Sequence, residues 1–151
     1  MQVSEILSEK GRRVVTTRPD INISEVAALL RDEGIGAALV EQEEAVVAGI
    51  ISERDIVRGL AAHGARLPEM TAADLMTASV ITCTPETETD ELMEQMLSGH
   101  FRHLPVLDKG ALVGVVSIGD VVKSVLSELK WIRAALEEQV VRSSAWSTEE
   151  D

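Results

Sequence analysis

Tyrosine is absent from this 151-residue chain, and Phe101, Trp131 and Trp146 are its only aromatic residues. Three rings cannot build a base-stacking platform for single-stranded nucleic acid. Cations are in deficit too: 14 Lys and Arg face 26 Asp and Glu, a net charge of −12. That balance repels phosphate backbones and anionic headgroups, so neither nucleic acid nor a membrane surface is expected as a partner. The single cysteine, Cys83, can form neither an internal disulfide nor a thiolate cluster. No apolar run approaches the roughly 20 residues of a membrane-spanning helix. The opening Met1-Gln-Val-Ser-Glu-Ile-Leu7 has an acid where a signal peptide carries basic residues. A soluble protein of a reducing compartment, most simply cytoplasmic, is expected.

What is present is a globular composition, 45% apolar and 26% charged. It also contains a repeat. Residues 14–40 align with 80–106 without a gap, so that Val14, Thr16, Pro19, Glu25 and Val40 coincide with Val80, Thr82, Pro85, Glu91 and Val106. One residue is then lost, and Gly49-Ile-Ile-Ser-Glu-Arg-Asp55 matches Gly114-Val-Val-Ser-Ile-Gly-Asp120. The lead-ins Val3–Leu7 and Ala72–Met76 correspond more loosely. Order, spacing and apolar character persist together, which marks a tandem duplication. The first unit covers 1–63, a linker with Pro68 covers 64–71, the second unit covers 72–142 with a long last helix, and 143–151 is an acidic tail.

Each copy reads as strand, helix, strand, strand, helix, an α/β pattern. Val14-Val-Thr-Thr is a β-branched run ending before Pro19. Asn22 and Glu25 are spaced as a capping box, Val26, Leu29 and Leu30 share one helical face, and Gly34 and Gly99 mark helix stops. Ala37–Val40 and Val46–Ile51 form strands around the acidic connection that holds Glu43 and Glu44. Asp108-Lys-Gly110 is a tighter hairpin signal. Nearly continuous apolar strands predict sheets covered on both faces. Second helices run from Glu53 to Ala62 and from Ile118 to about Val141. In the last, Val122, Val125, Leu129, Ile132 and Leu136 trace a seam that suits either packing on its own domain or contact with a second copy.

The repeated Gly-x-x-Ser-x-x-Asp segment places a hydroxyl, backbone N–H groups and a carboxylate together where a buried strand enters a helix. A helix N-terminus binds anions through its orphan donors and dipole. The carboxylate can accept two hydrogen bonds from a vicinal diol such as a ribose, so a nucleoside phosphate satisfies both. An ordinary N-cap with an acid at N3 accounts for the same residues. Its recurrence at one place in a duplication keeps the ligand reading open.

The order Thr-x-x-Pro, helix, Arg102-His-Leu-Pro-Val106, Gly114-Val-Val-Ser-Ile-Gly-Asp120, repeated with variation, resembles the CBS domain, whose tandem pair is called a Bateman module. The resemblance spans about residues 1–135 and extends to the stand-alone two-CBS proteins of bacteria and their plant organellar relatives. It implies two β-α-β-β-α units packed around a pseudo-twofold axis, with two clefts that take AMP, ADP, ATP, NAD(H) or S-adenosylmethionine. No cofactor is required; the adenosine compound acts as an effector. By resemblance, one cleft would use Asp55 on the ribose with Ser52 and Arg54 beside it. Val80, Ile81 and Thr82 would frame its base, and Phe101, Arg102 and His103 would close it. The other would use Ser117 and Asp120 with Thr16, Thr17, Ile35, Gly36 and Ala37. The family implies a regulatory module acting as a homodimer on another protein, and the plant relatives imply a thioredoxin-type partner. A structural or assembly module with degenerate clefts is the alternative.

The clefts differ in charge. The first gathers Arg54, Arg102 and His103, whereas the second has Gly119 in place of Arg54, and Gly36 and Ala37 in place of Arg102 and His103. The Asp55 cleft is therefore expected to hold a phosphate-bearing ligand more tightly. Leu39 stands where the second copy has Pro105, a departure expected to weaken that strand's start. His100 and His103 lack an obvious third metal ligand. Cys83 reads as a core thiol and Met70, Met76, Met93 and Met96 as core filler. No Ser-His-Asp order, P-loop or HExxH pattern points to an enzyme.

Overall fold

Two apolar strand pairs, each leading directly into a helix, form one after the other along the chain. The computed structural model describes residues 1–43 and 45–147; Glu44 and residues 148–151 of the expected tail lie outside them. The first copy comprises α1 (Val3–Lys10), β1 (Thr16–Thr17), α2 (Ile23–Glu33), β2 (Ala37–Gln42), β3 (Ala45–Ser52) and α3 (Glu53–His63). A 3-10 turn over Gly64–Glu69 buries Leu67, so the linker is part of the core. The second copy comprises α4 (Ala72–Leu75), α5 (Thr89–Gly99), β4 (His103–Asp108), β5 (Ala111–Ser117) and α6 (Ile118–Ser147).

The duplication reappears in the register. Thr17 pairs in parallel with Val40, and Cys83 bridges Val106 in parallel one repeat later. β2 and β3 are antiparallel with Ala37 opposite Ser52, and β4 and β5 with His103 opposite Ser117. The copies differ at the first strand. In the first copy Leu39 N–H donates to Val15 O (3.1 Å), which extends the pairing into β1. At the matching position Pro105 has no N–H, so the second sheet keeps two strands and a single bridge. Leu39 thus strengthens the strand start that it was expected to weaken.

Helix ends hold a second correction. Gly34 ends α2 in the left-handed region (φ 65°), as its position predicts. In the second copy that role passes from Gly99 to His100 (φ 56°). Gly99 is needed for space, since a Cβ there would lie 2.0 Å from the Phe101 ring. At Asn22 the side chain accepts from Glu25 N–H (2.9 Å), a one-sided cap. Lys109 and Gly110 both adopt positive φ, as the tight hairpin requires.

The lead-in helices are exchanged between the copies. Val3, Ile6 and Leu7 of α1 pack in the second copy's core with Leu92, Met96, Leu104, Val106 and Val116. Ala72 of α4, flanked by Leu75 and Met76, packs in the first copy's core with Val26, Val40 and Ile51. The seats match: a Cβ on Gly49 would strike Met76 Sδ at 2.6 Å, and one on Gly114 would strike Leu7 Cδ2 at 2.7 Å. Cys83 is buried as expected, and burial pushes its thiol up to about 11. Helix α6 overruns both expectations and core. It continues to Ser147, braced by the Arg133–Glu137 and Arg142–Glu138 ion pairs. Within the seam, Val125 packs on the second core, while Val122, Leu129, Ile132 and Leu136 stay exposed.

Candidate functional site

Both Ser-x-x-Asp segments fold as reciprocal helix caps. Asp55 Oδ2 accepts from Ser52 N–H (2.9 Å) and Ser52 Oγ (3.0 Å), and Asp55 N–H donates to Ser52 Oγ (3.3 Å). Asp120 Oδ2 accepts from Ser117 N–H (2.9 Å), and Asp120 N–H donates to Ser117 Oγ (3.1 Å). The first helical N–H is taken as well, Glu53 N–H by Gly36 O (2.9 Å) and Ile118 N–H by Arg102 O (2.8 Å). Of the four donors a helix start leaves over, one per cleft remains: the N–H of Arg54 and that of Gly119. An anion at either helix start would therefore be held mainly by side-chain cations. The same cap joins Thr71 and Asp74 at α4 on an open surface. The motif alone is structural; what sets the other two apart is the cleft beside each.

The Asp55 cleft encloses about 230 Å³ between α3 and the segment from His100 to His103. It gathers Ser52, Arg54, Asp55, Phe101, Arg102 and His103. Val80, Ile81 and Thr82 are not among its walls, and Thr77 stands in their place. The missing Pro105 donor explains this, because nothing draws the segment before Cys83 into the sheet. Sequence reasoning also missed Arg58, one turn after Arg54 and therefore on the same helical face. None of the ion pairs among the described residues involves Arg54, Arg58 or Arg102.

The Asp120 cleft, about 330 Å³, brings Ile35, Gly36, Ala37, Ser117 and Asp120 together. Thr16 and Thr17 are engaged in strand pairing, and Val14 and Val15 line the cleft in their stead. Two cations unseen in the sequence complete it, Lys10 and Arg13. Lys10 Nζ donates to Asp120 Oδ2 (2.5 Å) and Val115 O (2.8 Å). Arg13 pairs with Glu33. The expected lack of cations is thus corrected, although both are already committed. Burial raises the proton affinity of Asp120, but the Lys10 ammonium and the Ser117 N–H outweigh it and hold the carboxyl below the usual range. The sequence carries a signal for Lys10: it lies at i+7 from Val3, on the face of α1 that Ile6 and Leu7 share.

The exchange of α1 and α4 explains the difference between the acids. Ile50 and Thr77 trade two backbone hydrogen bonds (3.0 and 2.9 Å) just after α4 ends. One repeat on, α1 continues, and the Lys10 ammonium takes the carbonyl of Val115 that a backbone N–H would otherwise take. Among the described residues no three His, Cys, Asp or Glu converge as metal ligands. No helix there is long and apolar enough to cross a membrane.

The family model described as CBS domain matches residues 3–62 and again 72–127. The CBS domain-containing protein CBSX3, mitochondrial, of Arabidopsis thaliana is 31% identical over 83% of this chain, which spans 65% of that protein's length. Among solved structures, a CBS-domain protein of Agrobacterium tumefaciens is 44% identical over 82% of this chain and 98% of its own, with a TM-score of 0.80. The Pyrobaculum aerophilum CBS domain protein complexed with AMP is 31% identical over 80% of this chain and 89% of its own, at a TM-score of 0.69. The CBS domain pair of protein MJ0100, solved with 5′-methylthioadenosine and S-adenosyl-L-methionine, is 26% identical over 85% of this chain and 98% of its own, at 0.74.

Proposed function

The chain belongs to the CBS-domain family as a tandem pair, and from that premise we propose that it is a non-catalytic sensor of an adenosine-containing metabolite. One observation carries the reading. In each of two clefts at the copy boundary, a capped Asp has Oδ2 engaged by its helix, and among the described residues no hydrogen bond takes Oδ1, the oxygen we assign to a diol. The AMP of the Pyrobaculum relative and the adenosine compounds on the MJ0100 pair support that ligand class.

In this reading Asp55 takes the ribose hydroxyls of the first cleft, with Ser52 fixing its orientation. Arg54, Arg58 and Arg102 receive the phosphate, and Phe101 and His103 close the site. Thr77, with the segment 80–82 moving inward, frames the base. The second cleft uses Asp120 and Ser117 with Ile35, Gly36 and Ala37. A ligand that touches both copies favours one packing of the two over another, by no more than its difference in affinity for them. The exposed seam of α6 joins two such chains as a homodimer and carries the change to a regulated protein. The regulated protein we propose is of thioredoxin type, and the setting cytoplasmic.

Calorimetry and thermal unfolding with AMP, ATP, NADH and S-adenosylmethionine test this. A ligand at 100 times its Kd should add about 2.7 kcal/mol of stability. Millimolar concentrations of all four without heat or stabilisation would overturn the reading in favour of a purely structural module.

A further inference from the structure

The two clefts share a wall. Gly36, Ile50 and His103 line both. The duplication places Gly36 and Ala37 opposite Arg102 and His103, so one copy offers two small residues where the other offers two large ones. The imidazole fills the resulting space: a Cβ on Gly36 would lie 3.7 Å from both Cε1 and Nε2 of His103. On the sheet His103 sits opposite Ser117, the cap residue of the Asp120 cleft, while Phe101 and Arg102 just before it close the Asp55 cleft.

Charges approach the ring from every element around it. Lys10 comes from α1, Glu53 from α3, Arg102 from the segment before β4 and Asp120 from α6. Arg13 lies further along the Asp120 cleft, and Arg54, Asp55 and Arg58 along the other. Burial, then Lys10, pushes the imidazole below its ordinary value, with Asp120 and Glu53 opposing and Arg102 assisting. An anion added on either side opposes that downward push and favours the protonated ring.

We propose that His103 is a proton-binding wall common to the two clefts, so that an anion entering either one draws a proton onto the imidazole and thereby favours an anion in the other. The inference rests on the adenosine-ligand reading, and it adds that the phosphate of the ligand matters as charge. Uncharged adenosine leaves the ring neutral, whereas a nucleotide binds with proton uptake. Occupation of the clefts is then positively coupled, and more strongly in mildly acidic solution.

The test is a titration of the His103 C2–H proton by NMR on the full chain, alone, with saturating AMP and with saturating adenosine. H103Q distinguishes its signal from those of His63 and His100. The ionisation of the AMP phosphate, which falls in the same range, is followed separately by its 31P signal. The free protein should titrate below the ordinary value, and AMP should raise it by about one unit, equivalent to about tenfold tighter binding of AMP to the protonated protein. Adenosine should leave it in place. AMP binding that leaves the His103 titration unmoved would overturn the shared wall while leaving the sensor reading intact. Failure of AMP to perturb any signal would overturn this inference, and the sensor reading would fall with it only if ATP, NADH and S-adenosylmethionine were equally silent.

Discussion

The Asp55 and Asp120 clefts descend from one segment, Gly-x-x-Ser-x-x-Asp, and share its capped helix start, yet they differ in what their charges are free to do. Asp55 meets no cation in an ion pair, and three arginines beside it are unpaired among the described residues. Asp120 is held by Lys10, and Arg13 is held by Glu33. Two sites of equal backbone thus become one whose arginines are unpaired among the described residues and one whose acid already carries an ammonium on one oxygen. Duplication supplies the scaffold, and a helix that continues a little further supplies the difference.

Removing the free acid should have the largest effect. If Asp55 holds the ribose as proposed, Asp55→Ala deletes two charge-assisted hydrogen bonds to it and should weaken AMP binding about tenfold or more by calorimetry. The fold should survive, because the loss at the helix cap is only about 1 kcal/mol. Asp120→Ala should cost less, about threefold, since Lys10 already attenuates that carboxylate as an acceptor. Equal losses would erase the comparison.

Arg102→Ala should come next. It removes one of three unpaired cations, so the preference for AMP over adenosine should shrink about fivefold. A preference that stays constant would show that the phosphate lies elsewhere. Lys10→Met should act in the opposite direction on the second cleft. With the ammonium gone, the Asp120 carboxylate is a stronger acceptor for the diol, and adenosine should bind that cleft about threefold more tightly. A loss instead would make Lys10 a ligand contact.

The smallest effect concerns pH. Folding lowers the proton affinity of His103, so its contribution to stability is full above about pH 6.5 and declines as the pH falls toward the lowered folded value. Between about pH 7.5 and 5.5 the native chain should lose more in Tm than H103Q does. Identical slopes would place the titrating group elsewhere.

Much of this was legible in the sequence because duplication doubles every signal. The strand pairs, the helices, the hairpin at Lys109 and Gly110 and both capped acids follow from local pattern and from agreement between copies. Differences between the copies were harder to read. Lys10 has no counterpart, since α4 ends after Leu75 while α1 runs to Lys10, and an alignment is silent about unmatched residues. Its place on the apolar face of α1 gains meaning only once that helix is seen in the other copy's core. Thr16, Thr17 and the 80–82 segment shifted for a similar reason. Whether a strand edge is drawn inward depends on a single N–H, present at Leu39 and absent at Pro105. Helix α6 runs past its expected end because i,i+4 ion pairs extend a polar helix that apolar periodicity does not reveal.

A crystal of the full chain soaked in AMP would probe the account at its root. It predicts the nucleotide in the Asp55 cleft, its 2′ and 3′ hydroxyls within hydrogen-bond distance of Asp55 Oδ1 and its phosphate among Arg54, Arg58 and Arg102. An AMP whose ribose lies away from that carboxylate, or a cleft that stays empty while AMP binds on another face, would contradict it.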